Sequence, residues 1–134
     1  MTIEELTSRL GRTLQARPEV RFAFLFGSSV SRGLDSAKDV DVAIAFTHPL
    51  TLLEQGTIAT QLEQVTEREV DLIDLDASST LLRWEVARGS IVLFARDHAE
   101  LVDFRARVPL EYFDLEPFLI REAAGLRRAL EGTR

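Results

Sequence analysis

Gly27-Ser28-Ser29-Val30-Ser31-Arg32-Gly33-Leu34-Asp35-Ser36-Ala37-Lys38-Asp39-Val40-Asp41 is the stretch that decides the fold. An apolar run, Phe22-Ala23-Phe24-Leu25-Phe26, leads into it and reads as a buried strand. A second strand, Val40 to Phe46, leaves it, with Asp39 and Asp41 at its start. Side chains alternate across a strand, so Asp39 and Asp41 point to one face. At ~3.3 Å rise per residue their Cα atoms lie roughly 6.6 Å apart, within reach of one divalent ion. Two carboxylates this close repel each other, and a bound cation is the natural counter-charge.

The turn between the strands is suited to an anion. Gly27 lets the backbone approach a phosphate, and Ser28 adds a hydroxyl and exposed amides at a helix start. Arg32 follows one helical turn later and can reach the same anion. Gly33 to Lys38 reads as a polar turn back to the Asp strand. Gly27-Ser28 alone would also fit an ordinary strand-to-helix turn with a serine cap; the Asp pair downstream shifts the reading towards a nucleotide site. A dinucleotide-binding turn is excluded by the missing second and third glycines, and a P-loop by the missing Gly-Lys-Ser/Thr.

Outward from this centre, each strand has one bulky face. Phe22, Phe24 and Phe26 share a side of the first strand, and Val40, Val42, Ile44 and Phe46 share a side of the second. On the second strand's other side, Ala43 and Ala45 follow the two carboxylates and leave room for a ligand. A third strand, Glu69 to Leu75, holds Asp71 between Val70 and Leu72, where an unpaired carboxylate would be costly. Asp74 is its rival as a third acid, on the opposite face by alternation, and Asp76 starts the next turn.

Helices fill the rest. Thr2 and Glu5 fit a capping box ahead of the stripe Ile3, Leu6, Leu10, Leu14, which Pro18 ends. Thr47 is placed to cap a helix with Pro49 in its first turn, carrying Leu50, Leu53, Ile58, Leu62 and Val65, with Gly56 a point of weakness. Ser78 or Ser79 caps the next, and Gly89 stops it before a last strand, Ser90 to Phe94. From about residue 97 to 131 the chain reads helical, interrupted or restarted at Pro109 and Pro117. His48 and His98 read as surface or cap residues, and Trp84 as core or groove wall.

Composition sets the outer limits. The 134 residues suit one domain over 1–134, and a net charge of -6 argues against broad nucleic-acid binding. The absence of cysteine excludes thiolate metal sites and disulfides. No run has membrane-spanning length and no signal segment leads the chain, so a cytoplasmic location is expected.

Gly27-Ser28, ten residues, then Asp39-x-Asp41 resembles the signature of the DNA polymerase β superfamily of nucleotidyltransferases. Arg68-Glu-Val-Asp-Leu-Ile-Asp-Leu75 and the short chain resemble its minimal nucleotidyltransferases, specifically the MntA-type antitoxins of HEPN/MNT pairs. Tyr112-Phe-Asp-Leu-Glu-Pro117 is similar to their tails. The resemblance implies an α/β fold with a short mixed sheet and helices packed mainly on one face. It implies that Asp39, Asp41 and, by position, Asp71 hold Mg²⁺ and carry catalysis, while Gly27, Ser28 and Arg32 bind the nucleotide. It further implies transfer of AMP from ATP, the co-substrate, to a tyrosine of a HEPN-type ribonuclease toxin, which neutralises it. Two other readings stay open. One is a small-molecule transferase acting on an aminoglycoside-like hydroxyl, for which this length leaves little acceptor-binding structure. The other is an antitoxin that covers its toxin sterically.

Overall fold

The computed structural model describes residues 1–33 and 39–132, so most of the polar turn before Asp39 lies outside the described residues. Among the described residues nine elements follow one another: α1 (Ile3–Gln15), β1 (Val20–Phe26), α2 (Ser28–Ser31), β2 (Asp39–Phe46), α3 (Leu52–Thr66), β3 (Glu69–Asp74), α4 (Thr80–Arg88), β4 (Ile91–Ala95) and α5 (His98–Glu131). The four strands form one mixed sheet in the order β3-β2-β1-β4. β1 pairs antiparallel with β2 and β4, while β2 and β3 run parallel, joined through α3. A parallel neighbour requires such a crossover, and α3 supplies it.

Two apolar clusters grip the sheet. On one face, Leu6, Leu10 and Leu14 of α1 and Ile58 and Leu62 of α3 pack on Ala23, Leu25, Val40, Val42 and Ile44. The sequence reading places the helices mainly on one face; α1 and α3 cover this one, and α4 and α5 cover the other as well. On the other, Leu101, Phe104 and Val108 of α5 and Val86 of α4 pack on Phe22, Phe24, Ala43 and Ala45. Here the small alanines of β2 make room for the Phe104 ring, which lies 5.4 Å from that of Phe22 and 5.5 Å from that of Phe24. Asp39 and Asp41, at the other end of that face, are only half-buried.

Three local expectations differ from what forms. Thr51, not Thr47, caps α3: its hydroxyl accepts from the Glu54 amide at 3.1 Å, and Glu54 accepts from the Thr51 amide at 3.0 Å. A cap at Thr47 would place Leu50 where the returning carboxylate must be, so only half the motif could form. α3 runs unbroken through Gly56. α5 likewise continues through Pro109 and Pro117 as one helix of 34 residues. Each proline removes one amide and crowds the preceding turn, but the turns on either side keep their own bonds and the helix carries on.

No helix among the described residues is long and apolar enough to cross a membrane.

Candidate active site

β1 ends at Phe26, and the backbone then adopts a conformation open almost only to glycine: Gly27 has φ 84° and ψ -152°. The reason is visible on the neighbouring strand. A Cβ at Gly27 would overlap Oδ2 of Asp41, so the missing side chain is what lets the turn sit against that carboxylate. α2 starts at once; the amides of Val30 and Ser31 bond back to the Gly27 carbonyl at 3.1 and 3.2 Å. Ser28 is half-buried at its start, and Arg32 is exposed at its end, its amide bonded to the Ser28 carbonyl at 2.8 Å. Ser29 is the residue that sequence reasoning passed over. Its hydroxyl is buried without a protein partner among the described residues. The only signal was that two serines follow Gly27 and just one can face solvent.

The strands assemble the acids. Asp41 stands opposite Phe26 of β1 on one side and Asp71 of β3 on the other, with Asp39 opposite Glu69. Partners in register share a sheet face, so Asp39, Asp41 and Asp71 converge. They form a proton-sharing chain: Asp41 can donate to Asp71, and Asp71 to Asp39. Burial raises the Asp41 carboxyl above its ordinary range, and the charges of Asp71 and Asp39 raise it further. For Asp71 the hydrogen bond to Asp39 is the largest cause of a rise, joined by burial and the Asp39 charge and opposed by the bond from Asp41. Glu63 of α3 adds to the negative field at Asp71 while its Oε2 accepts from the Val70 amide at 3.1 Å. No pattern in the sequence announces that neighbour.

Asp74 lies elsewhere. It is opposite Ile44, and it braces a turn: Oδ1 accepts from the Asp76 amide at 3.0 Å and its carbonyl accepts from Ser78 Oγ at 2.7 Å. Asp76 accepts from Arg21 at 3.2 Å and from the Phe46 amide at 3.3 Å, at the opposite end of β1 from Gly27. A cavity of about 590 Å³ opens at that far end, between Arg21, Phe22, Phe104 and Arg107. Its cations are spent on internal pairs, Arg21 with Asp76 and Glu100, Arg83 with Glu111, Arg107 with Asp103 and Glu111.

The donor set beside Gly27 is all carboxylate oxygen, the chemistry of a hard divalent cation such as Mg²⁺. No group of three or more His, Asp or Glu side chains among the described residues is placed to hold a metal ion by itself. An open set also fits Mg²⁺, which takes one or two carboxylates and completes its shell with water and phosphate oxygens. Crowded carboxylates with raised pKa values mark a place where charge waits to be neutralised.

Comparison with known proteins points the same way. Residues 8–99 match the family described as polymerase beta, nucleotidyltransferase. The protein adenylyltransferase MntA of Aphanizomenon flos-aquae (strain 2012/KM1/D3) is 25% identical over 125 residues, covering 86% of this chain and 83% of the relative. Among solved structures, a toxin–antitoxin crystal structure with AMP-PNP superposes with a TM-score of 0.77 at 21% identity, over 90% of this chain and 97% of the other. A tri-AMPylated Shewanella oneidensis HEPN toxin in complex with its MNT antitoxin gives a TM-score of 0.76 at 20% identity, over 92% and 97%. At these identities the structural matches speak for the fold.

Proposed function

The chain belongs to the polymerase beta nucleotidyltransferase family, and from that premise we propose that it is an antitoxin that transfers AMP from ATP to a tyrosine of a HEPN ribonuclease toxin. The observation that carries this reading is the convergence of Asp39, Asp41 and Asp71 beside Gly27, whose lack of a side chain lets the turn approach the Asp41 carboxylate. The acceptor class rests on the likeness to the adenylyltransferase MntA and to the antitoxin in the AMPylated complex.

In this reading the tyrosine oxygen attacks the α-phosphorus of ATP, forming a P–O bond as the bond to the β-phosphate oxygen breaks. Pyrophosphate departs, and the phenolic proton passes to the carboxylate cluster and on to water. Asp39 and Asp41, with Asp71, would hold Mg²⁺, which neutralises phosphate charge and activates the attacking hydroxyl when bound. Gly27 and Ser28 receive the triphosphate against bare backbone and a hydroxyl, and Arg32 supplies a cation one turn away. Asp71 is the most exposed of the three acids, and it is the one an incoming acceptor meets first. The added AMP puts a phosphate charge and a bulky base near the toxin's RNA path, where both obstruct RNA.

Intact-mass spectrometry of a HEPN toxin encoded beside this protein, co-expressed with wild type or with Asp39→Asn plus Asp41→Asn, tests the reading. AMP-sized increments are expected with wild type alone. An unmodified toxin neutralised equally by both forms would overturn the catalytic reading and leave steric cover.

A further inference from the structure

The distal half of α5 has too little to pack on. The helix buries only Leu101, Phe104 and Val108, and from Pro117 to Gly132 every residue is exposed. Helices in water owe most of their stability to an apolar face held against something. This half nevertheless carries large apolar side chains: Phe113 is 55% exposed, Ile120 62% and Leu126 63%.

Their spacing is that of a helix–helix seam. Phe113, Glu116, Ile120, Ala123, Arg127 and Leu130 recur at alternating steps of three and four, the pattern that packs one helix along another at a shallow angle. The seam is also its own complement when read backwards. Antiparallel pairing about a two-fold axis between Arg121 and Glu122 sets Phe113 against Leu130, Glu116 against Arg127 and Ile120 against Ala123. Two shallow grooves obey the same symmetry: one lies around Phe113, Glu116, Pro117 and Ile120, the other around Ala123, Leu126, Arg127 and Leu130. Reflection through that axis carries these four residues of the first onto the four of the second, while Arg121 of the first and Glu131 of the second fall outside the match.

From this self-complementarity we infer that the distal half of α5 binds a second copy of this chain, as an antiparallel two-helix interface. Such an interface presents the same patch from both copies, as two-fold symmetry requires. Charge sets its direction. Parallel alignment would bring Glu116 to Glu116 and Arg127 to Arg127 in the seam, whereas antiparallel alignment forms two Glu116–Arg127 pairs. From Phe113 to Leu130 the contact runs roughly 26 Å at 1.5 Å per residue. The interface uses no residue of the carboxylate site, so it stands or falls apart from the transfer reaction.

Sedimentation velocity on the full chain, without toxin or nucleotide, is the first test. Twice the 15.1 kDa chain mass is expected at tens of micromolar, with Ile120→Asp monomeric at the same concentration and still unfolding in one cooperative transition. Glu116→Arg or Arg127→Glu alone should weaken association by roughly fivefold, since each dimer loses both pairs. The double variant, which exchanges the charges, should restore it. Direction is read by disulfide trapping, as the chain has no cysteine. Phe113→Cys mixed with Leu130→Cys should cross-link, and neither should do so alone. A monomer at every concentration would overturn the inference. So would self-cross-linking of each single variant, which means parallel helices, or protection of Ile120 only when toxin is added, which means that the toxin covers this face.

Discussion

Gly27→Ala is the substitution that most directly tests how the turn and the carboxylates depend on each other. Two costs add at this position. A residue with a side chain held at φ 84° and ψ -152° carries roughly 1–3 kcal/mol of backbone strain. The new methyl also occupies the space of Asp41 Oδ2, so the carboxylate must swing aside by about 1 Å, a displacement that costs on the order of 100-fold in rate. For a chain of this length about 3–5 °C of Tm goes with each kcal/mol, giving a fall of roughly 3–15 °C. Thermal unfolding by circular dichroism reads the first cost, and single-turnover AMP transfer at saturating ATP reads the second. Gly33→Ala is the control: it shares a positive φ, 88°, but nothing among the described residues lies within 4 Å of the added carbon. It should lose stability without losing the Asp41 geometry. Wild-type transfer by Gly27→Ala at full folding would refute the argument, because the methyl and the carboxylate cannot both stay where they are.

Other outcomes follow from the same contacts. Asp41→Asn should stabilise the metal-free chain at pH 7, by about 1 kcal/mol or less after solvent screening. The Asp41 pKa is raised in the fold, so its ionisation costs stability above that pKa, and the cost vanishes as pH falls through it towards the unfolded value. Urea unfolding in EDTA should therefore show the advantage of Asn shrinking as the pH drops below neutral towards 4. Asp71→Asn should cut pyrophosphate release by about 100-fold or more, whereas Asp74→Asn, acting on a turn brace, should lower Tm by a few degrees and leave the rate within about twofold. The reverse ranking would reassign the third acid. Gly56→Ala should raise stability by about 1 kcal/mol, since the site is mid-helix and nothing among the described residues lies within 4 Å of the new carbon; a lower denaturation midpoint would contradict the continuity of α3.

Strand faces were legible because alternation is a two-state rule. It put Asp39, Asp41, Ala43 and Ala45 on one side of β2 and Val40, Val42, Ile44 and Phe46 on the other, and the two core clusters hold the apolar members of each side. What alternation could not give was which strands touch. Asp71 beside Asp41 depends on the parallel register of β2 and β3, a pairing across α3 that no local pattern encodes; the family likeness supplied that expectation. Glu63 reaches the acids from a helix whose rotation on the sheet is set by packing, so its spacing carried no sign of it. The start of α3 was misplaced because Pro49 suggested a first helical turn, while the reciprocal bonds of Thr51 and Glu54 won. Prolines mislead again in α5, where one lost amide in a long run does not outweigh the bonds on either side.

Among the described residues β3 lies at the rim of the sheet, next to β2 alone, and such a strand rim invites another chain to add to it. This rim is short and carries Glu69, Asp71 and Asp74, so a second rim approaching it would meet three negative charges. The opposite rim, β4, has no charge in Ile91–Ala95 and relies instead on its brevity and on the packing of Leu93 and Phe94 beneath α1. Acids along β3 thus keep the folded chain apart from its copies at the rim, and Asp71 among them also lies beside Asp41. Neutralising several at once would erode colloidal stability along with turnover, and the loss would first show as precipitation at high protein concentration in the metal-free state.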